Sequence, residues 1–324
     1  ATDITLPHVA QGPVYDTAVM VCNPGDQDAE VTLTFVDTEG VPRYETTRII
    51  AASGSWKYPL ASLVPDPATP NKGSIEVSSS FPVTAFGLYD ILKTGGFCFA
   101  GINGMAPEDD TSSAYEYIVP YFNDQAPYWT GLGLKNGDPL AEASVAIVIY
   151  DDTGAIRGRG ERTLPPGGQH AAVVGQGLPN EGWMRIRSDR PLHGLSFIGT
   201  DTADNYMADI PFTAACTTAV ELPHVAQGPV YDTTVLVCNP NDQDAAVTLT
   251  FVDAAGAALY EVTQVVPPDG SWKYPLAAMV PNPETPNKGT VEILSTAPIA
   301  AFGLYNNRKT GGYCFAGING VGWE

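Results

Sequence analysis

Residues 6–37 read LPHVAQGPVYDTAVMVCNPGDQDAEVTLTFVD, and residues 222–253 read LPHVAQGPVYDTTVLVCNPNDQDAAVTLTFVD. The offset of 216 residues holds without a gap from Leu6/Leu222 to Gly104/Gly320, and 67 of those 99 paired positions are identical. Any fold that suits one copy must suit the other. A copy of this length can bury a modest core of its own. The stretch between the copies repeats the pattern in diverged form. VPYFNDQAPYWTGLGLKN from Val119 matches LPHVAQGPVYDTAVMVCN from Leu6, and VAIVIYDDTG (145–154) matches VTLTFVDTEG (31–40). The expected organisation is three domains of about 105 residues: 1–107, a linker at 108–114, a diverged copy at 115–215, and a near-duplicate of the first at 216–324.

The local pattern is that of short strands. Val31, Leu33 and Phe35 alternate with Thr32 and Thr34, as in a half-buried strand. Similar runs cover 4–10, 17–23, 43–50, 54–60, 72–80, 83–90 and 97–103, separated by Gly, Pro, Asn and Asp. Pro65, Pro67 and Pro70 exclude a helix or a central strand between them. The expected class is all-β, three tandem Ig-like β-sandwiches.

Charge narrows the partners. Formal net charge is -20, yet only 16% of residues are charged, because Lys and Arg number 16 against 36 acids. That field repels phosphate backbones and anionic lipid, so neither nucleic acid nor a membrane surface is an expected partner. No apolar run approaches the length of a membrane-spanning helix. The opening at Ala1, almost directly on a strand pattern, suits a mature chain whose leader was removed.

Cys22 and Cys98 recur as Cys238 and Cys314, and the middle copy has Lys135 and Met207 at the matching places. Two positions that come and go together suggest bridges Cys22–Cys98 and Cys238–Cys314. Each would stabilise by about 4–5 kcal/mol in the chain-entropy model. Buried free thiols are the alternative. Bridges imply an oxidising compartment. Cys216 is left over, either interchain or a buried thiol.

Candidate chemistry is sparse. No nucleophile motif, zinc motif or P-loop occurs, and His8, His170, His193 and His224 read as packed histidines, so no enzyme is expected. Asp26 and Asp28, recurring as Asp242 and Asp244, offer hard oxygens of the kind Ca²⁺ takes; the same residues are what a turn wants. No other cofactor is expected. Trp56 and Tyr58, recurring as Trp272 and Tyr274, share one strand face, which is either sandwich core or a platform for stacking on sugar or another subunit.

Three patterns run through all copies: (L/V)-P-(H/Y)-(V/F), T-x-(V/L)-x-(V/L)-x-N, and V-x-(L/I)-x-(F/I)-x-D-x-x-G. Together they resemble the uncharacterised Ig-like β-sandwich repeats of secreted and surface bacterial proteins. The resemblance covers nearly the whole chain and carries no catalytic residue. It implies a bacterial extracellular or cell-surface location. The expected role is a non-catalytic structural protein that self-associates, as a filament or surface layer, or meets other surface proteins. Binding of glycan or another surface ligand is the alternative; an enzyme site in the diverged middle copy stands third.

Overall fold

A computed structural model describes residues 1–92, 99–106, 114–175, 181–201, 207–307 and 314–322. The described residues are all-β, in antiparallel sheets, with short 3-10 turns at Leu60–Ser62 and Leu276–Ala278 and no α-helix. None of them forms a helix long and apolar enough to cross a membrane.

The first segment supplies β1 (Asp3–Gln11), β2 (Tyr15–Cys22), β3 (Ala29–Asp37), β4 (Pro42–Ile50), β5 (Ser55–Pro59), β6 (Asn71–Ser79), β7 (Thr84–Ile91) and β8 (Phe99–Asn103). They form two sheets, ordered β1-β6-β3-β4 and β5-β2-β7-β8. Alternation gives each sheet one apolar face, and the two faces close on each other. Leu6, Leu33 and Ile75 from one sheet share a buried cluster with Val19, Val21 and Ile102 from the other.

The second segment repeats this with β9 (Tyr115–Asn123), β10 (Tyr128–Asn136), β11 (Ala143–Asp151), β12 (Ile156–Leu164), β13 (Gln169–Val174), β14 (Glu181–Ser188), β15 (Leu192–Thr200) and β16 (Met207–Ile210). Its sheet orders, β12-β11-β14-β9 and β13-β10-β15-β16, are those of the first segment. The third has β17 (Thr217–Gln227), β18 (Tyr231–Cys238), β19 (Ala245–Asp253), β20 (Ala258–Val266), β21 (Ser271–Pro275), β22 (Asn287–Asn307), β23 (Cys314–Asn319) and β24 (Val321–Gly322). Here the counterparts of β6 and β7 are one strand: β22 pairs with β17 and β19 through its first half and with β18 and β23 through its second.

Residues common to all three copies hold the strand ends. The Thr17, Thr130 and Thr233 hydroxyls each donate to the carbonyl of a first-strand residue, Ala10 (2.8 Å), Asn123 (2.9 Å) and Ala226 (2.9 Å). The Asn23, Asn136 and Asn239 amides each donate across the following loop, to the Gln27, Ala141 and Gln243 carbonyls (2.7, 2.7 and 2.8 Å). Each is an Asx-type staple that closes a turn without water.

The register speaks against the expected Cys238–Cys314 bridge, and the structure holds no bridge at Cys22. Cys22 and Cys238 carry free thiols. Cys238 lies opposite Ala300 on β22 and Cys314 lies opposite Asn307 on the same strand. Seven residues of strand separate those positions by about 24 Å, and a disulfide needs Cα atoms within about 7 Å. Cys98, and with it the partner expected for Cys22, lies outside the described residues. The register also corrects the alignment: Met207, opposite Gly199, is the counterpart of Phe99 and Phe315 rather than of Cys98. The linker expected at 108–114 lies outside the described residues except for Ala114.

Candidate functional site

Trp56 and Trp272 are 4% and 6% exposed and belong to the cores, so they form no sugar platform. Tyr58 and Tyr274 are half-buried and tilt against them at 5.2 and 5.3 Å. Asp26, Asp28, Asp242 and Asp244 are exposed on their loops. The Asp28 carboxylate accepts the Ala52 amide (3.1 Å), a turn contact. Among the described residues no group of three His, Cys, Asp or Glu side chains is placed to hold a metal. Cys216 is half-buried and packs on a small cluster containing Cys238, Ala300, Tyr150 and Trp183; burial raises its thiol to about 11.

The residues that do come together lie where one segment meets the next. Each segment has two working faces. The leading face carries the turn between its third and fourth strands. In the first segment this turn is Asp37–Gly40, where the Asp37 carboxylate accepts the Glu39 and Val41 amides (both 2.9 Å) and Gly40 sits at φ +82°. The trailing face carries the turn before the fifth strand and the outward side of the second, seventh and eighth strands.

At the first junction the leading turn of segment one seats on the trailing turn of segment two. The Gln169 amide donates to the Thr38 carbonyl (3.0 Å), and Gly40 lies so close that a Cβ would stand 2.1 Å from the Pro166 carbonyl oxygen. At the second junction the same parts meet again. The Ser271 amide donates to the Asp152 carbonyl (3.0 Å), and a Cβ on Gly154, at φ +85°, would stand 2.2 Å from the Pro268 oxygen. Only glycine fits a left-handed turn pressed against another backbone.

The apolar contacts repeat as well. Leu195, Phe197 and Met207 of segment two pack into the core cluster of segment one, with Phe197 stacked on Tyr89 at 5.7 Å. Their counterparts Phe302, Leu304 and Phe315 pack onto the cluster of segment two, with Phe315 against Tyr128 at 6.1 Å.

Polar contacts differentiate the two junctions at matching positions. At the first, the Lys135 ammonium, 3% exposed, lies 3.0 Å from Glu76 and donates to the Gly167 carbonyl (2.7 Å). His8 and Gln169 meet at 3.2 Å between Nδ1 and Oε1. Burial depresses His8 to about 4, with Gln169 opposing and Lys72 adding to the effect. His193 is likewise depressed to about 4, by burial and then Lys135, with Glu76 opposing. At the second junction Arg185 takes the place of Glu76. Its guanidinium pairs with Asp269 (2.9 Å), donates to the Pro240 carbonyl, and lies over the Tyr150 and Trp183 rings. The Trp183 indole donates to the Asp269 carbonyl (2.7 Å). Lys273 pairs with Glu181.

The first junction is also hollow. A cleft of about 540 Å³ is bordered by Tyr15, Tyr89, Trp129 and Phe197, with Lys72 and Asp201 at polar points of its lining. Segment two is small there, with Gly131, Gly133, Ala171 and Ala172 where segment three has Thr234, Leu236, Lys273 and Tyr274; a cleft of about 540 Å³ also lies at the second junction, bordered by the more polar Glu181, Asp152 and Lys273.

None of these junction pairs was singled out from the sequence. The signal was present as complementary change: position 22/135/238 reads Cys, Lys, Cys while position 76/185/292 reads Glu, Arg, Glu. The only Lys of the first set docks on a Glu.

No family model matches the chain, and no curated protein matches it. Among solved structures, Thermotoga maritima 1070 is 20% identical with a TM-score of 0.29, over 32% of this chain and 93% of that one. A β-glucuronidase from glycoside hydrolase family 2 is 9% identical with a TM-score of 0.15, over 66% of this chain and 24% of that one. A tetra-tandem repeat from the extending region of a large adhesion protein is 12% identical with a TM-score of 0.14, over 91% of this chain and 67% of that one. Scores this low carry no argument about function.

Proposed function

We propose that the chain is three tandem Ig-like β-sandwich domains forming a non-catalytic structural protein of the bacterial cell surface or exterior. The observation that carries this reading is that both junctions use the same pair of faces, with a backbone turn of one segment locked on a turn of the next. Such a device fixes the spacing and direction of successive domains. With thiols at Cys22 and Cys238, the cysteines no longer argue for an oxidising compartment. The repeat motifs and their resemblance support the surface location. Small-angle scattering on the full chain tests the reading: a single rigid envelope is expected, and a broad distribution of interdomain distances would remove it.

The hollow first junction favours glycan binding as a second reading. Aromatic rings beside a few donors and acceptors are the lining of a small-molecule site. Lys72 is set against Asp124 and Asp201 in the lining and the net charge disfavours an anion, so the ligand class proposed is a neutral sugar held by the rings. A glycan array without hits, together with unchanged fluorescence of Trp129 on titration with neutral oligosaccharides, would exclude it.

A further inference from the structure

We propose that the leading face of the third segment docks onto the trailing face of the first segment of a second copy, making a third junction of the kind seen twice within the chain. The inference rests on the structural reading above and names its partner.

Consider first the leading face of segment three. Its turn is built like the others. The Asp253 carboxylate accepts the Ala255 and Ala257 amides (both 2.9 Å), and Gly256 sits at φ +83°. Yet a Cβ on Gly256 would meet nothing within 4 Å, where its two counterparts would collide with the next segment. Behind the turn, the side chains that receive segment two are repeated in kind. His224 and Tyr305 lie 6.0 Å apart at 43°, and His8 and Tyr89 lie 5.8 Å apart at 42°. Tyr231 stands to Tyr305 (5.4 Å) as Tyr15 stands to Tyr89 (5.6 Å). The first set is covered: His8 is buried. The second is open: His224 is exposed.

Now consider the trailing face of segment one. Segment three docks on segment two through Leu236, Phe302, Leu304 and Phe315. Segment one carries Met20, Phe86, Leu88 and Phe99 at the same register positions. Three of the four are identical or the same ring, and Met for Leu conserves volume. Leu236 and Phe302 are buried by segment two, whereas Met20 and Phe86 are only half-buried; Leu304 and Leu88 are both half-buried, and Phe99 is 46% exposed against a half-buried Phe315. Lys57 matches Lys273, and Ser53, at φ +57°, holds the left-handed turn position of Asp269, at φ +54°.

Segment three therefore carries one half of a junction whose other half is carried by segment one. The halves are nearly the same surfaces that already meet inside the chain, because segments one and three are 67 parts in 99 identical. A contact between unlike faces is heterologous, and it propagates as an open string or closes as a ring according to the rotation per step.

Sedimentation of the full chain, with electron microscopy at high concentration, tests this with two single-face variants. Phe99→Glu charges the trailing face at an exposed position. Gly256→Val fills the leading turn where the single chain leaves space. The wild type is expected to form oligomers whose mass grows with concentration. Each variant alone should associate at least about 30-fold more weakly, the effect of losing one interface hot spot. Mixed together, the two variants should give a one-to-one dimer and stop there, because each retains the face the other lacks. Circular dichroism of each variant checks that it is folded. A wild type that stays monomeric at every concentration, or variants that assemble like it, would overturn the docking proposal. A mixture that gives no dimer would do the same. A rigid monomer would leave the structural reading above intact, and a flexible one would remove both.

Discussion

The Lys135 ammonium sits 3.0 Å from the Glu76 carboxylate across the first junction, and one junction further on the same two positions hold Cys238 and Arg185. The pair is lopsided: the Lys135 side chain is 3% exposed and that of Glu76 is 49% exposed. Removing Glu76 strands a buried ammonium, whereas removing both charges strands nothing. Glu76→Ala is expected to lower stability by about 1–3 kcal/mol. Lys135→Met with Glu76→Ala should recover most of that loss. A double-mutant cycle by urea unfolding measures the coupling, and additive effects would contradict it.

Acid should loosen the first junction before the second. His8 and His193 are buried with their folded pKa values near 4, below the ordinary 6.5. The unfolded chain therefore binds more protons, and stability present above pH 6.5 is lost as pH falls toward 4. For His8 alone this amounts to about 3 kcal/mol. The groups around the two rings are Gln169, Lys72, Lys135 and Glu76. The second junction has Tyr121 in the place of His8 and Ala300 in that of His193. Hydrogen exchange at pH 7 and 4.5 should show protection lost first around β1 and β13. His8→Gln should flatten that difference.

Arg185 serves the second junction through shape as well as charge. Its planar group pairs with Asp269 while lying over two rings. Arg185→Lys keeps the charge and loses the fork and the stacking, so it should cost nearly as much as Arg185→Ala, on the order of 3 kcal/mol. Thermal unfolding compares the two, and a lysine variant close to wild type would refute the stacking contribution.

The three turn glycines should respond differently to one methyl group. Gly40→Ala and Gly154→Ala place carbon against a neighbouring backbone oxygen; Gly256→Ala meets open space. The last should cost only the left-handed backbone term, about 1–2 kcal/mol. The other two should cost more and open their junctions, which limited proteolysis would report.

The thiols give a direct chemical check. Cys22 is exposed and Cys238 is buried, with burial holding its thiol well above the ordinary range. A thiol reagent should modify Cys22 in the native chain and Cys238 only after unfolding. Cys22→Ser should change stability by less than about 0.5 kcal/mol, as at other exposed sites. A loss of several kcal/mol would restore the bridge.

Strand positions were legible because alternation reports burial directly. The alternation of Val31, Leu33 and Phe35 falls on β3, and the staple residue Asn23 recurs where the same loop recurs. What misled was Cys22. Its absence from the middle copy tracks a docking partner across the junction, Glu76, rather than a sulfur in its own copy. Trp56 could not be assigned a side, since alternation says that Trp56 and Tyr58 share a face but not which face is wet. Arg185 and Trp183 were invisible for a related reason: their partners, Asp269 and Pro240, belong to another segment, and periodicity within a strand carries no information about what stands opposite.

The unbroken β22 has a mechanical consequence. In the first two segments the chain leaves one sheet, turns near Pro82 or Pro191, and enters the other as a new strand, so the sheets are joined by a pliable corner. In the third, Asn287–Asn307 is hydrogen-bonded as a single strand into both sheets. Sliding one layer over the other would require bending that strand against two sets of ladder bonds at once. Under a pull along the molecule, the third segment should yield last.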